Sequence, residues 1–368
     1  MKTHYRAFIL AVALCATAGI AGAQEDGPGG ILPTPEEPPT RQGTRGANFL
    51  QLGVGARGNA MAGAVATTVE GPAAWYWNPA GAASAEFFTA HASRQDLYAG
   101  LDIAQNYAGI ALPVLGGVGG VSFTSLNSGE LQRSTEGEPF GDPIVGETFE
   151  FTATAVSLNY ARRLTDRLDL GFGLKFISEG LTDARTNWVA VDLGTQFRTG
   201  IYGLTIGAAL QNIGPASKVS GELIRRRINT DEAFNQNTPV LFDVLETDLP
   251  TMFRFSVGTD LYGRASSILG SGNGMHSLSG ELAFNDAIDT DIQMAGGVEY
   301  GFNNFAFVRV GKRLYNDDRA TGDEAMYGLS GGLGLRLPVG ARSFRLDYAY
   351  TSMGDLENVQ VFSLEFGR

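Results

Sequence analysis

Hydrophobic and polar residues alternate along several segments of the chain. From residue 168 to 176, Leu, Leu, Phe, Leu and Phe alternate with Asp, Gly, Gly and Lys. Segments 253–260, 327–337 and 344–350 repeat this pattern. A period of two residues predicts β-strands whose side chains point alternately to an apolar face and to a polar, glycine-rich face. We therefore expect an all-β protein.

About fourteen such segments follow residue 85, and an even number of strands is what a closed single-chain barrel requires. The predicted strands are 86–95, 103–113, 116–126, 148–161, 168–180, 187–199, 202–213, 251–262, 276–286, 291–301, 304–314, 326–338, 342–352 and 358–367. Tight turns such as 302–304 and long polar loops at 127–147 and 216–250 connect them. Short turns on one rim and long loops on the other are typical of outer-membrane barrels. We predict a transmembrane antiparallel β-barrel over residues 86–368, with its apolar face towards lipid.

The first residues have the pattern of an export signal. Lys2 and Arg6 precede an apolar run over residues 7–18, and small residues lead to a predicted cleavage site after Ala23. The run is shorter than the ~18 residues that a membrane-spanning helix needs. Cys15, the single cysteine, lies within this run, so cleavage after Ala23 leaves no cysteine for a disulfide. The alternative is that Cys15 is a lipoprotein processing site. Residues 24–46 are rich in Pro and Gly and predict a disordered leader.

Residues 47–85 differ from both neighbours and predict a small N-terminal plug with one short helix, in which Met61 and Val65 share a face. Residues expected to pack the plug are Gly53, Gly55, Arg57, Met61 and Gly63. A plug and turn motif follows at Trp75, Trp77, Asn78, Pro79 and Gly81. Pro79 fixes its φ and favours an extended Asn78, and Gly81 is expected to permit a tight change of direction. The alternative is that this motif lines a substrate path.

Charge restricts the possible partners. The net charge is −12, from 27 basic and 39 acidic residues. Removal of Lys2 and Arg6 leaves 25 basic residues against 39 acidic ones, or −14, so a nucleic acid partner is not expected. Charged residues on the predicted lumen face are expected to pair across the interior, with a polar channel as the alternative. They are Lys175, Arg254, Asp260, Arg336, Arg345 and Asp347.

Motifs of soluble enzymes occur in the wrong context. Residues 53–58 fit G-x-G-x-x-G, but no strand and crossover accompany them, and residues 328–332 resemble a nucleophile elbow within a predicted strand. His91 and His276 are the imidazoles of the mature chain, and neither lies in a triad pattern. No cluster has metal-ligand spacing, and the acidic residues in 317–324 fit a solvated loop or weak calcium binding. We predict no enzyme activity, cofactor or metal.

The stretches 49–57, 61–64 and 75–81, together with 249–254 and 346–358, resemble the PorV/PorQ family, a branch of the FadL-like outer-membrane barrels. The resemblance implies a fourteen-stranded barrel with a plugged lumen, in the outer membrane of a diderm bacterium. Some members of that family carry secreted proteins in type IX secretion, so the leading expectation is export or surface attachment of secreted cargo. The alternative is a FadL-like transporter of hydrophobic small molecules, and a third hypothesis is a structural barrel with a sealed lumen.

Partners follow from the same resemblance and from the end of the chain. Outer-membrane lipid is expected around the barrel, and an aromatic residue near the C-terminus, here Phe366, is typical of chains inserted by the outer-membrane assembly machinery. Secreted cargo or hydrophobic ligands are the expected partners beyond these. The candidate contact residues for cargo lie in the loop 216–250 and are Phe234, Val240, Leu241 and Phe242.

Overall fold

The computed structural model describes residues 43–98, 101–134, 147–229, 237–272, 274–290, 292–314, 328–353 and 358–367. Several expectations lie outside these ranges. They are the signal peptide, the leader up to residue 42, Phe234 and the acidic loop 317–324.

Fourteen strands within the described residues form one closed barrel. They are β1 (Thr89–Leu97), β2 (Ile103–Val114), β3 (Gly117–Asn127), β4 (Phe151–Arg163), β5 (Leu168–Leu181), β6 (Ala184–Arg198), β7 (Thr205–Ile213), β8 (Met252–Tyr262), β9 (His276–Ala287), β10 (Gln293–Phe302), β11 (Ala306–Leu314), β12 (Leu329–Val339), β13 (Arg342–Ser352) and β14 (Asn358–Phe366). Each pairs antiparallel with its neighbours in the chain, and β14 closes the barrel on β1 through the pair Ala90 and Phe366. The predicted barrel is confirmed, and each predicted strand lies within three residues of the observed one at both ends.

The two faces of each strand are inverted relative to a soluble sheet. In β5, Phe172 and Phe176 are exposed on the outer surface, whereas Asp169, Gly171 and Lys175 are buried inside. A sheet in water turns its apolar face to a core. A barrel in lipid does the opposite, because only apolar side chains meet the hydrocarbon without a desolvation cost.

The two rims of the barrel differ, and we name them by their connections. The short-turn rim carries the tight turns 115–116, 303–305 and 340–341, and Asn303 and Asn304 both have positive φ, as hairpin turns of the primed types require. The long-loop rim carries residues 128–150 and 214–251, the latter with a hairpin of Arg225–Asn229 and Asn237–Leu241. The asymmetry has two exceptions, because 263–275 is a longer connection on the short-turn rim and 182–183 is a tight turn on the long-loop rim.

The segment before β1 runs through the barrel from the long-loop rim, where the amide of Gly46 donates to Asp248 O (3.0 Å), to the short-turn rim, where residues 86–88 are exposed and β1 begins. We call residues 47–85 the plug. Its helices are α1 (Ala56–Ala60) and α2 (Ala74–Trp77). Turns of 3-10 helix lie at Asn48–Gln51, Gly71–Ala73 and Pro79–Ser84. Within the ranges given above, none of the helices is long and apolar enough to cross a bilayer.

The predicted helical face of Met61 and Val65 is wrong. α1 ends before Met61, because Ala62 and Gly63 adopt positive φ and the amide of Gly63 returns to Gly58 O at 2.9 Å. This is a Schellman ending, in which Ala62 occupies the left-handed position that is usually a glycine and Gly63 follows it. Met61 and Val65 are nevertheless both buried in the same apolar cluster of the plug.

Candidate functional site

The indole of Trp77 is the packing centre of the plug. A Cβ on Gly53 or Gly58 would lie within 3.0 Å of the Trp77 ring, and one on Gly63 would lie 3.3 Å from it. Trp77 Nε1 donates to Val54 O at 2.9 Å, so the polar atom of the ring is satisfied. The predicted packing glycines are therefore close to one another around a single aromatic ring, and Gly55 adds a left-handed turn (φ 73°) before α1.

Asn78 joins the plug to the barrel wall. Its Nδ2 donates to Ala66 O in the plug at 2.8 Å and to Thr195 O in β6 at 3.0 Å. Its Oδ1 accepts from the amide of Ala80 at 3.2 Å. Its backbone is extended (φ −161°, ψ 105°), as expected for a residue before Pro79. The side chain is fully buried, so all three bonds are shielded from water.

The expected role of Gly81 is corrected. Gly81 lies within a 3-10 turn and does not adopt positive φ, so no tight reversal depends on it. A Cβ here would meet the carbonyl oxygen of Val69 and lie 3.1 Å from Gln196 Nε2. Gly81 is needed because the plug backbone packs closely here, which sequence spacing alone does not show.

A charged cluster joins α1 to the barrel wall. Arg57 Nε and Nη2 donate to the two carboxylate oxygens of Glu299 in β10 at 2.9 and 3.2 Å. Arg309 in β11 donates to Glu299 (2.6 Å) and to Asp347 in β13 (2.7 Å). Arg345 completes the cluster at 3.0 Å from Asp347. Charge-assisted pairs that alternate in sign are strong when shielded from water, so the cluster holds α1 against three strands.

The carboxylate of Glu281 in β9 fixes a second part of the plug. It accepts from the amide and hydroxyl of Thr67 at 2.9 and 2.7 Å and from the hydroxyl of Thr68 at 3.0 Å. On the nearby strands β6 and β7, Gln196 and Gln211 donate to plug carbonyls, namely Ala66 O (2.9 Å) and Tyr76 O. These bonds hold the plug against the arc of wall from β6 to β9.

Sequence reasoning missed Glu281, Glu299, Arg309, Gln196 and Gln211. Each occupies a lumen-facing position of an alternating strand, and extension of the alternation to every strand would have placed them inside. Their partners in the plug are not visible in the sequence, because the contacts join residues 130 or more positions apart, as for Ala66 and Gln196.

Four of the six predicted lumen charges form ion pairs, three of them with charges of the wall strands and Asp260 with Arg264 at the short-turn rim. Lys175 lies 2.7 Å from Asp192 in β6 and donates to Asn212 at 2.8 Å. Arg345 and Asp347 belong to the charged cluster described above.

Arg254 and Arg336 donate to uncharged partners, and the ion pair of Asp260 lies at the rim. Arg254 donates to Gln211 Oε1 (2.9 Å) and to the hydroxyl oxygen of Tyr76 (3.2 Å). Its guanidinium lies 4.6 Å from the centre of the Trp77 ring. Burial raises the pKa of the Tyr76 hydroxyl, so it stays neutral. Asp260 and Arg336 lie near the short-turn rim and contact Arg264 and Asn304.

An apolar cluster lies between the plug and one side of the barrel wall, formed by β2, β3 and β4. From the plug it contains Val54, Met61, Val65, Val69, Ala74, Trp75, Tyr76, Trp77 and Ala82, and from the wall Tyr107, Ala111, Val118 and Ala161. Beside it lie two small cavities of about 40 and about 10 Å³. A polar cavity of about 530 Å³ lies between the plug and the short-turn rim. The plug therefore separates this vestibule from the long-loop side.

The discounted enzyme motifs contain no assembled site. The hydroxyl of Ser330 lies 3.1 Å from that of Thr351, and His91 lies 3.4 Å from Glu365 on another part of the wall. Residues 53–58 lead into the five-residue α1 without a preceding strand. The described residues contain no group of three or more His, Cys, Asp or Glu side chains arranged for a metal ion. The absence of enzyme activity remains a prediction.

The candidate contact loop is on the surface at the long-loop rim. Leu241 and Phe242 are exposed and Val240 is half-buried, at the end of the hairpin formed by residues 225–229 and 237–241. Leu245, which sequence reasoning did not select, is the most exposed of this group.

Comparison with known proteins identifies the fold. The toluene transporter TodX of Pseudomonas putida superposes with a TM-score of 0.50 at 9% identity, over 85% of this chain and 96% of that one. The chain has the fold of an outer-membrane β-barrel. A FadL homologue of Pseudomonas aeruginosa gives a TM-score of 0.48 at 11% identity, over 85% of this chain and 97% of the other. No protein-family model and no curated protein matches the sequence.

Proposed function

We propose that this outer-membrane barrel transports hydrophobic small molecules. The observation that carries the proposal is the apolar cluster between the plug and strands β2 to β4, which includes Trp75 and Trp77. The lumen of a diffusion porin is polar and filled with water. Here a solute that passes the plug meets apolar side chains, which favour an apolar solute over a hydrated one. TodX, whose fold is similar, is a toluene transporter.

Passage requires the plug to move. The two cavities beside the apolar cluster, about 40 and about 10 Å³, are far smaller than the ~300 Å³ and above of ligand pockets. The polar bonds of Glu281, Gln196 and Asn78 hold the plug against the wall. We expect a solute to shift part of the plug while the barrel stays closed, because strand pairing is continuous around the wall.

The test is uptake of carbon-14 toluene and carbon-14 oleate by cells that lack the gene, with and without a plasmid that carries it.

A second test uses a variant in which a disulfide fixes the plug to the wall. A Cβ on Gly258 would lie 3.3 Å from the Cβ of Thr67, slightly below the ~3.5–4.5 Å usual in disulfides. Thr67→Cys with Gly258→Cys should therefore cross-link the plug to β8 when oxidised.

We expect the complemented cells to take up label faster than the deletion strain. The oxidised double variant should be as slow as the deletion strain, and a reducing agent should restore uptake. Thr67→Cys alone, which cannot cross-link within the chain, serves as the control. Equal uptake by the deletion strain would disprove the proposal, and fast uptake by the oxidised double variant would show that this part of the plug is not on the path.

A second candidate function is contact with secreted cargo, as the PorV/PorQ resemblance implies. It is favoured by the exposed apolar side chains Leu241, Phe242 and Leu245 at the long-loop rim, since exposed apolar patches are typical of protein contact sites. Replacement of all three by Ser, followed by mass spectrometry of proteins co-purified from gently solubilised membranes, tests it. If the same partners, or none, are recovered with both proteins, this candidate fails.

A further inference from the structure

The outer surface carries a groove over β1 and its neighbours. Ala92 of β1 and Ala108 of β2 point outwards and leave a floor of small side chains. Phe123 of β3 pairs with Ala108 on one side of the floor, and Leu364 of β14 pairs with Ala92 on the other. The groove has a volume of about 760 Å³ and faces the membrane.

The wall on the β14 side includes a cross-strand aromatic pair. The rings of Tyr348 and Phe362 lie 4.9 Å apart. Such pairs stabilise side-chain positions in neighbouring strands. The groove therefore does not have to form when a ligand arrives, which lowers the entropy cost of binding.

A guanidinium group closes the groove towards the long-loop rim. Arg94 points outwards from β1, between Asn106 of β2 and Phe362 of β14. Arg94 Nε donates to Asp96 at 2.9 Å, and with the described residues its two Nη atoms form no hydrogen bond. Both side chains of this ion pair are more than half exposed, at 59% and 54%. An arginine on a membrane-facing strand is costly unless its charge reaches the interface and finds an anion.

We propose that this groove binds one phosphate-bearing lipid of the outer leaflet, of the lipid A type. A phosphate would accept from the free Nη atoms of Arg94 and from the Asn106 amide, and an acyl chain would lie over Ala92 and Ala108. Arginine suits a phosphate because its donors form a planar fork. The outer leaflet is specified because Arg94 lies towards the long-loop rim, which is the external rim in outer-membrane barrels. A neutral hydrocarbon would use the floor but not Arg94.

The experiment is native mass spectrometry of the purified full-length protein in detergent, titrated with diphosphoryl lipid A and with the same lipid after phosphate removal. Arg94→Gln removes the charge, Arg94→Lys retains it, and Ala92→Leu with Ala108→Leu fills the floor. Arg162→Gln is the matched control, because Arg162 is also exposed on the outer surface but lies on β4 near the short-turn rim. Heat-modifiable mobility on gels verifies that each variant is folded.

We expect Arg94→Gln and the double leucine variant each to weaken binding of diphosphoryl lipid A by about tenfold or more. Arg162→Gln should bind the lipid as the unmodified protein does, and Arg94→Lys should bind it better than Arg94→Gln. With the dephosphorylated lipid, Arg94→Gln and the unmodified protein should bind equally. Equal binding by Arg94→Gln and the unmodified protein would overturn the proposal, as would equal affinity for the dephosphorylated lipid. The outcome does not depend on transport, so it is separate from the uptake test.

Discussion

At the residue scale, the side chains that matter most are polar groups buried between plug and wall. Asn78 makes bonds to the plug and to the wall with one amide group, and Arg309 is fully buried between Glu299 and Asp347. A buried polar atom that loses its partner retains the full cost of desolvation. Substitutions at these residues should therefore be far more harmful than at exposed polar ones.

Asn78→Asp tests this directly. The replacement has nearly the same shape, but its oxygen atoms would face the carbonyl oxygens of Ala66 and Thr195, where Nδ2 now donates. We expect a loss of about 1–3 kcal/mol in the free energy of unfolding, the cost of unsatisfied buried partners. Urea unfolding followed by tryptophan fluorescence measures it.

The control for that substitution is Asn303→Asp, because Asn303 is exposed in the turn between β10 and β11. It should unfold at the same urea concentration as the unmodified protein. Equal stability of the two variants would show that the Asn78 amide does not hold the plug.

At the element scale, the two-residue period of each strand places apolar side chains against lipid and polar side chains in the lumen. Leu158 in the middle of β4 is 60% exposed on the outer surface, yet its strand neighbours Ser157 and Asn159 are buried inside. A slip of one residue would turn the polar set to lipid and the apolar set to the lumen. The pattern thus fixes the register as well as the strand.

A charge on the lipid face should be costly according to its depth. Leu158→Arg places a guanidinium near the middle of β4, and we expect about 2–4 kcal/mol of destabilisation in phosphatidylcholine vesicles. Leu164→Arg is the control, since Leu164 is equally apolar and exposed but lies in the turn after β4. It should cost about 0–1 kcal/mol. If the two variants unfold alike, Leu158 does not face hydrocarbon.

At the scale of the whole molecule, the barrel is a closed wall and the plug decides what passes through it. The charged cluster of Arg57 and the bonds of Glu281 attach the plug to β9, β10, β11 and β13. Gln196 and Asn78 attach it to β6. Because these bonds are distributed around the lumen, we expect the plug to remain seated at rest.

The prediction at this scale concerns ion conductance. In planar bilayers the unmodified protein should show no steady open channel, because the apolar cluster leaves no continuous aqueous path. Deletion of residues 47–85 should give a stable conductance, with heat-modifiable mobility as the check that the barrel has folded. Steady conductance of the unmodified protein would contradict the occluded lumen and would favour the polar-channel alternative.

The sequence by itself determined the barrel. All fourteen strands, the direction of their two faces and the segment 47–85 that precedes them are visible in the alternation and in composition, as β5 illustrates. This succeeds because the two-residue repeat is local and because lipid requires every outward position to obey it. The glycines around Trp77 and the extended Asn78 were also selected from sequence.

Only the tertiary structure decided how the plug is held. The pairs of Arg57 with Glu299 and of Thr67 with Glu281 join residues more than 200 positions apart, and no local pattern specifies which wall residue meets which plug residue. The same holds for Gly81, where a Cβ would meet the Val69 carbonyl, and for Met61, which follows α1 because the backbone takes positive φ at Ala62 and Gly63. Strand periodicity depends on immediate neighbours and on the solvent, whereas the fit of an irregular segment in a lumen depends on distant side chains that meet only when the barrel closes.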